Sequence, residues 1–488
     1  MNGSLNMAVT DMGNQAVAML EKAGYIPTRE KWTPVDDALY GVEELFSIKK
    51  DKAETFLFKA LKFSVDHWFK NSDWYHVYCN EFDFKPDQLK TKEDLIKIPV
   101  VSHRFYKTYL EGPEFNRWIS QITLGEIKEP KITESNPTLD DVIDAYGEID
   151  LLAAYSSGTS GRFSFIPKDK LTFNRSQYCL GKMGISEILG DWYDPEAYAF
   201  LLGPNPSRTN MWVGKVVSLM DHVYRDVQYA FDRDITTQIV RLSLGDTRGF
   251  SERLMATVMK LINTTHSMIP RIIEWLEKRD ENGDKVFIAE APFILQALIS
   301  RLEGEGKTFD FGDKGAVITG GGWKTHQEEK IPLEKFREKV EEILGIPQEL
   351  NVDLYTMVES NWHAIHCPEG HYLHIPPTVV YPITFDQNYQ PLEYGETGRF
   401  AFIDTLANSY PGAVVTGDIV TLHEQCPACG RTGPVLEPEV SRASGEEIRG
   451  CAEEMRRLMD EQTPELLHDL VCTPDRSRMP MMLIDRDN

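Results

Sequence analysis

Tyr155-Ser156-Ser157-Gly158-Thr159-Ser160-Gly161-Arg162-Phe163-Ser164 is the stretch from which the fold of this chain is read. The apolar run 151–155 in front of it predicts a buried strand that empties into small residues. Two glycines allow backbone angles that a Cβ forbids. The hydroxyls of Ser156, Ser157, Thr159 and Ser160 add donors to a turn already rich in exposed N–H groups. Such a turn is a nest for anionic oxygens, with phosphate its usual occupant. No Gly-Lys-Ser/Thr closes it, so it is not a Walker loop. Composition alone fits a flexible Ser/Gly connection as well. The stretches downstream decide between the two.

The whole chain sets the frame. Its 488 residues exceed one small core, so two or three domains are expected. A hydrophobic content of 41% and a charged content of 26% are ordinary for a soluble globular protein. The net charge of -24 speaks against nucleic acid, whose binding rests on clustered Lys and Arg, and against an anionic membrane surface. A local basic pocket for a nucleotide is compatible with it. The first residues hold no basic region followed by an apolar core, and no apolar run approaches a membrane span, so neither signal peptide nor membrane helix is expected. Seven cysteines in a long acidic chain do not form a disulfide framework, which points to a reducing cytoplasm.

Residues 1–130 read as a helical N-terminal region. Phe56, Leu57, Ala60, Leu61, Val65 and Trp68 recur at helical spacing and predict one buried face. The Pro-broken polar stretch around Pro137 is a loop or linker. From Ile149 strand-like and helix-like segments alternate, the pattern of an α/β domain with a parallel or mixed sheet. Strands are expected over 199–202, 286–289 and 316–319, and a helix over 333–344 that stops at Gly345-Ile346-Pro347. From Tyr394 to Leu422 short strands with glycine turns suggest a small β-subdomain. Ser444 and Glu447 form a capping-box pattern ahead of the apolar stripe Ile448, Cys451, Met455, Leu458 and Met459. The expected domains are 1–130, a core over 131–436, and a short C-terminal remnant over 437–488.

Four motifs follow the Ser/Gly stretch in order: Thr319-Gly320-Gly321-Gly322, Leu354-Tyr355-Thr356-Met357-Val358-Glu359, Tyr394-Gly395-Glu396-Thr397-Gly398-Arg399, and Val415-Thr416-Gly417-Asp418. With Leu95-Ile96-Lys97-Ile98-Pro99, Ser164 and Asp169, this order resembles the adenylate-forming superfamily. Within it the chain is similar to the acyl-protein synthetase of bacterial luminescence and to the phenylacetate–CoA ligase group. The likeness runs to about Arg431. It implies an adenylate-forming large domain with mixed sheets and a small β-subdomain, on which a helical N-terminal region packs. It implies that Ser156, Ser157, Gly158, Thr159, Ser160 and Gly161 cradle the ATP phosphates. Gly320, Gly321 and Gly322 would line adenine, Tyr355 stack on it beside Thr356, and Asp418 hold the ribose. Glu359 would bind magnesium, and Arg431 resembles the arginine near the ribose. Each motif also has an ordinary reading: tight glycine turns, a solvated strand-end Glu, a turn Asp. Val358 stands where the family usually has a Thr on the α-phosphate.

The family's C-terminal catalytic lysine has no counterpart, because no lysine follows Lys339. The C-terminal domain is read as shortened, and the missing cation as magnesium, an arginine, or an earlier lysine such as Lys324 or Lys168. Surface lysines solvated by water are the ordinary alternative for both. Cys426-Pro427-Ala428-Cys429 forms a CxxC knuckle. Two thiolates can take one edge of a zinc tetrahedron. Cys367 and His374 supply the other edge, with His366, His371 or His423 as substitutes, and four protein ligands make the ion structural. Free thiols or a redox pair are the alternatives. Cys472 resembles in placement the cysteine that carries the acyl group in the luminescence enzyme, whereas Cys451 reads as a small buried hydrophobe.

The reading is therefore an ATP-dependent ligase that turns a small-molecule carboxylate into an acyl-adenylate and transfers the acyl group to a thiol of a protein, a carrier or CoA. ATP, magnesium and a structural zinc are its expected cofactors. Two rivals stay open: an acid–CoA or acid–amine ligase on the same fold, and an inactive protein that binds a nucleotide or a partner.

Overall fold

Helix Lys50–Asn71 shows how the N-terminal region is tied down. Ala60, Leu61, Val65 and Trp68 of its apolar stripe are buried, and Phe56 and Leu57 half-buried. From this face the Trp68 indole donates to the Ala407 carbonyl (2.9 Å) and Ser64 to that of Thr405 (3.2 Å). The structure is a computed structural model, and it describes residues 11–443 apart from 109–110, 126, 158–162, 244–246, 248, 250–251, 254–267 and 322–330. The C-terminal capping-box helix, Cys451 and Cys472 lie outside the described residues. None of the helices described is long and apolar enough to cross a membrane.

The short strands β1 (Val101–Ser102) and β2 (Lys107–Thr108) lead into a hairpin of β3 (Leu151–Ser157) and β4 (Phe163–Asp169). β2, β4 and β3 form a three-stranded antiparallel sheet. Next come β5 (Tyr198–Pro204), β6 (Asp226–Phe231), β7 (Val286–Glu290), β8 (Gly315–Gly320) and β9 (Asn351–Tyr355). These five run parallel in the order β6-β5-β7-β8-β9. The β7–β8 connection contains helix Pro292–Glu305, and β8–β9 contains helix Leu333–Leu344, ended by left-handed Gly345 (φ 70°). At φ 70° a Cβ is strained, which is why the amphipathic run stops there.

Beyond β9 the same hydrogen-bonded path turns antiparallel. In chain order its strands are β10 (Ala364–His366), β11 (Leu373–His374), β12 (Val380–Phe385), β13 (Thr397–Asp404), β14 (Ala413–His423) and β15 (Val435–Leu436), and the path runs β9-β10-β11-β15-β14-β13-β12, with β16 (Ser441–Arg442) pairing β14 beside it. The segment that reads as a β-subdomain is thus continuous with the parallel strands. The eleven-residue β14 makes the join: its front pairs with β1, β13 and β16, and its end with β15. Strand β5, expected over 199–202, also runs on through Gly203-Pro204, where its register against β6 shifts.

A buried ion pair and a buried carboxylate fasten the N-terminal region to the helical segments after β4. Arg175 reaches Asp36 at 2.8 Å with both side chains almost wholly buried, and also donates to Thr33 Oγ1 (3.2 Å). Glu187 accepts from the backbone of Leu45 (2.7 Å) and Phe46 (3.0 Å), with Lys182 beside it at 3.8 Å. Removing one partner of such a pair strands the other charge in the core. Asp36→Ala is expected to cost about 3–5 kcal/mol of stability by denaturant titration, whereas Arg175→Met with Asp36→Leu together recovers most of it.

Candidate functional site

Strands β8 and β9 are parallel neighbours, with Gly320 registered against Leu354, so the glycine motif and Tyr355 finish on one edge of the sheet. Ligands of open α/β sheets bind at the carboxyl ends of the strands. A Cβ on Gly320 would come within 2.9 Å of the Leu354 side chain, and Gly321 has φ +84°. Both positions therefore require glycine, and the strand end stays bare. Gly322 and Lys324 lie outside the described residues. Behind this edge Thr319 donates to Asp353 Oδ1 (2.9 Å), and burial pushes that carboxyl up to about 6.

Asp418 reaches the same corner from β14. Between the pairs Arg399–Ile419 and Ala401–Val415 the register slips, so residues 416–418 bulge from the ladder. The Thr416 hydroxyl closes the bulge, donating to the Phe400 carbonyl (2.9 Å) and accepting from Asp418 N (3.0 Å). The Tyr355 hydroxyl donates to Asp418 Oδ2 at 2.6 Å, and Arg442 stands 3.1 Å from Oδ1. Burial, with the carboxylates of Asp418 and Glu359, holds the Tyr355 phenol protonated far above its ordinary range. Tyr355 thus sits within electrostatic reach of both acidic residues.

Glu359 follows on a turn whose backbone is fastened at several points. Ser360 Oγ donates to the carbonyls of Met357 (3.0 Å) or Trp362 (3.1 Å), and the Tyr410 hydroxyl donates to that of Glu359 (2.9 Å). Among the described residues the Glu359 carboxylate itself has no hydrogen-bond partner, although it is 7% exposed. A carboxylate buried and unpartnered in this way is suited to a cation. Val358 is buried in the core, and Thr356 shares a hydrogen bond of 3.0 Å with His363. Burial, together with the nearby Lys168 charge, pushes His363 down to about 3, so the ring is neutral.

Ser156 and Ser157 end β3, with Ser157 registered against Phe163 of β4. Gly158, Thr159, Ser160, Gly161 and Arg162 therefore connect the hairpin, and their own placement lies outside the described residues. Beyond the hairpin Asp169 caps helix Lys170–Leu180 by accepting from Thr172 N (2.8 Å).

Arg431 is held elsewhere. It pairs with Glu369 at 2.6 Å beside Cys429, and the arginine at the Asp418 carboxylate is Arg442. Sequence order pointed to Arg431 because it follows the Thr-Gly-Asp motif. The pairing of β16 with β14, which registers Arg442 against Asp418, has no signature in a two-residue strand.

Cys367, His374, Cys426 and Cys429 converge, with their ligand atoms all within 4.8 Å of one another. Cys367 Sγ lies 3.8 Å from Cys426 Sγ, and Cys429 Sγ 3.3 Å from His374 Nε2. Zinc–sulfur bonds of about 2.3 Å at the tetrahedral angle place two sulfurs about 3.8 Å apart, so the donor set fits a closed zinc site. Of the alternative histidines, His366 Nδ1 accepts from Asp353 N (3.1 Å), and His423 pairs with Glu437 (3.0 Å).

Comparison with known proteins agrees with this geometry. Residues 263–459 match the family described as Acyl-protein synthetase, LuxE. The long-chain-fatty-acid–luciferin-component ligase of Vibrio harveyi is 23% identical over 425 residues, 86% of this chain and 92% of that protein. Its counterpart from Aliivibrio fischeri is 25% identical over 310 residues, 62% of this chain and 71% of that one. Among solved structures, a 2-hydroxyisobutyryl-CoA ligase in the postadenylation state with R3-HIB-AMP superposes with a TM-score of 0.55 at 12% identity, over 86% of this chain and 74% of that chain. Its open conformation with 2-HIB-AMP and CoA gives 0.52 at 13% identity, over 82% and 71%. By the motif order, the matched family model and the shared fold, the chain is similar to the acyl-protein synthetases and has the fold of the adenylate-forming ligases.

Proposed function

We infer that this protein is an ATP-dependent ligase that activates a carboxylate as its acyl-adenylate and passes the acyl group to a thiol. The observation that carries it is the corner where bare Gly320, Tyr355 and Asp418 meet at the strand ends, with Glu359, unpartnered among the described residues, within electrostatic reach of Tyr355. A carboxylate oxygen attacks the α-phosphorus of ATP, the bond to the β-phosphate oxygen breaks, and pyrophosphate leaves. A thiolate then attacks the acyl carbon and AMP departs. Long-chain fatty acids are the first acids to test, since the curated relatives are named for them.

In this reading Tyr355 and the glycine edge face adenine, with Thr356 beside them, and Asp418 accepts the ribose hydroxyls. Ser156 and Ser157, with the turn Gly158–Gly161 after them, donate to the phosphates. Magnesium, which offsets phosphate charge during the transfer, is held by Glu359. Lys324 and an arginine are the candidate protein cations, and Arg442 joins them through its place at Asp418. Zinc at Cys367, His374, Cys426 and Cys429 is structural, because four protein donors leave no open position. The acceptor thiol belongs to CoA, a carrier or a protein, with Cys472 as the candidate within this chain.

ATP-dependent pyrophosphate release across a panel of carboxylates tests the core reading, and silence with every acid refutes it. Asp418→Ala is expected to raise the KM for ATP about 10- to 100-fold, the range of a lost charged hydrogen bond. Glu359→Gln is expected to lower kcat by about 10²-fold, because metal charge counts most in the transition state.

The zinc assignment predicts about one zinc per chain in protein purified without chelator. Cys429→Ser should lower metal content and Tm together, since ligand loss is paid in folding energy. A metal-free preparation of unchanged Tm refutes the site.

If Cys472 carries the acyl group, Cys472→Ser keeps acid-dependent pyrophosphate release but yields no labelled protein with radioactive acid. Label retained on the variant moves the acceptor elsewhere.

A further inference from the structure

Lys168 stands in β4 directly before the capping Asp169, and it has no accessible surface. Its Nζ donates to the Ser360 carbonyl (2.9 Å) and to Asn361 Oδ1 (2.6 Å). The face of Trp212 lies 4.1 Å from the ammonium and that of Tyr410 5.8 Å, both favourable to a cation. These partners enclose it, so it is not placed to touch a nucleotide directly. What it does touch is the pair of residues that follow Glu359.

Those residues belong to a closed network. Asn361 donates from N (2.7 Å) and Nδ2 (3.0 Å) to Asp404 Oδ2, and from Nδ2 to the Tyr410 hydroxyl (2.7 Å). That hydroxyl in turn donates to the Glu359 carbonyl. A buried cation contributes little to stability beyond a well-packed apolar residue of the same volume. The two features an apolar residue lacks are the donors to Ser360 and Asn361 and the positive field beside Glu359 and Asp404.

We propose that Lys168 is a positioning residue for Glu359: its ammonium fixes the turn that aims this carboxylate and holds a positive charge behind it. The proposal rests on the reading of Glu359 as the magnesium carboxylate. Burial pushes the Lys168 ammonium down to about 7, against the opposing pull of Asp404 and Glu359. Burial likewise pushes Asp404 up to about 6. The other ionisable groups facing this cluster are neutral: His363 pushed down, and Tyr106, Tyr410 and Cys179 pushed up by burial. A lysine with a lowered pKa is charged below that value and loses its charge as pH rises through about 7. The alkaline limb of kcat therefore reports on it.

The test is pyrophosphate release at saturating acid, as a function of ATP, magnesium and pH, for the wild type, Lys168→Met and Lys168→Arg. Lys168→Met is expected to lower kcat about 10- to 100-fold, the scale of a misplaced catalytic group, with the ATP KM nearly unchanged and more magnesium needed for half-maximal rate. Lys168→Arg keeps its charge at every pH tested, so it restores the rate and moves the alkaline limb to higher pH. If Lys168→Met does not fold, Asn361→Ala severs the same link and should show the same magnesium signature. Wild-type kcat and magnesium dependence in a folded Lys168→Met or Asn361→Ala overturns the proposal alone, as does an unmoved limb in Lys168→Arg. Absence of pyrophosphate release by the wild type overturns it together with the functional reading.

Discussion

Two sheets that share no strand are joined through one buried charge arrangement, and the candidate site is built on that joint. Lys168 belongs to the three-stranded sheet, Asp404 to β13 of the large one, and Asn361 binds both. Neither charge is accessible to water, so each is tolerable in the core only with the other nearby and hydrogen bonds around it. Next to it the Ser409 hydroxyl donates to the Pro167 carbonyl (2.7 Å) and Asn408 donates to Asp169 (2.7 Å). Strand β4 and the Glu359 turn are consequently fixed relative to one another from behind.

The front of the site depends on a different balance. A strongly acidic chain has little net attraction for an anion, so any anion held at this corner would be held by local geometry. Bare glycine at the end of β8, the Tyr355 hydroxyl on Asp418 and the bulge closed by Thr416 supply fixed groups without adding net charge. Asp418 is already bonded to Tyr355 and stands against Arg442, the penultimate described residue, so the end of β9 and strand β16 share one carboxylate.

The Cys/His cluster is tied to the N-terminal region rather than to that corner. Thr432 donates from N to the Phe46 carbonyl (2.7 Å) and from Oγ1 to that of Ile48 (2.6 Å), and the Phe46 ring meets His374 edge-on at 5.2 Å. Glu187 holds the same Leu45-Phe46 segment from the other side. An ion there would brace a long connection that has little regular structure of its own, which agrees with a structural role.

What the sequence determined by itself is whatever rests on neighbours along the chain. The strand into the hydroxyl–glycine turn, the glycine end of β8, Thr-Gly-Asp and the CxxC knuckle were legible because their chemistry needs residues a few positions apart. The family likeness followed from their order. Partners across long separations were decided by tertiary structure alone. His374, not His366, His371 or His423, joins the three cysteines because β11 pairs with β15, bringing it to the knuckle. Arg442 stands against Asp418 because β16 lies along β14. Lys168, which the sequence left open between a candidate cation and a solvated surface lysine, is buried because β4 packs it against residues almost two hundred positions away. Local pattern fixes which face a side chain occupies; only packing decides what waits on that face.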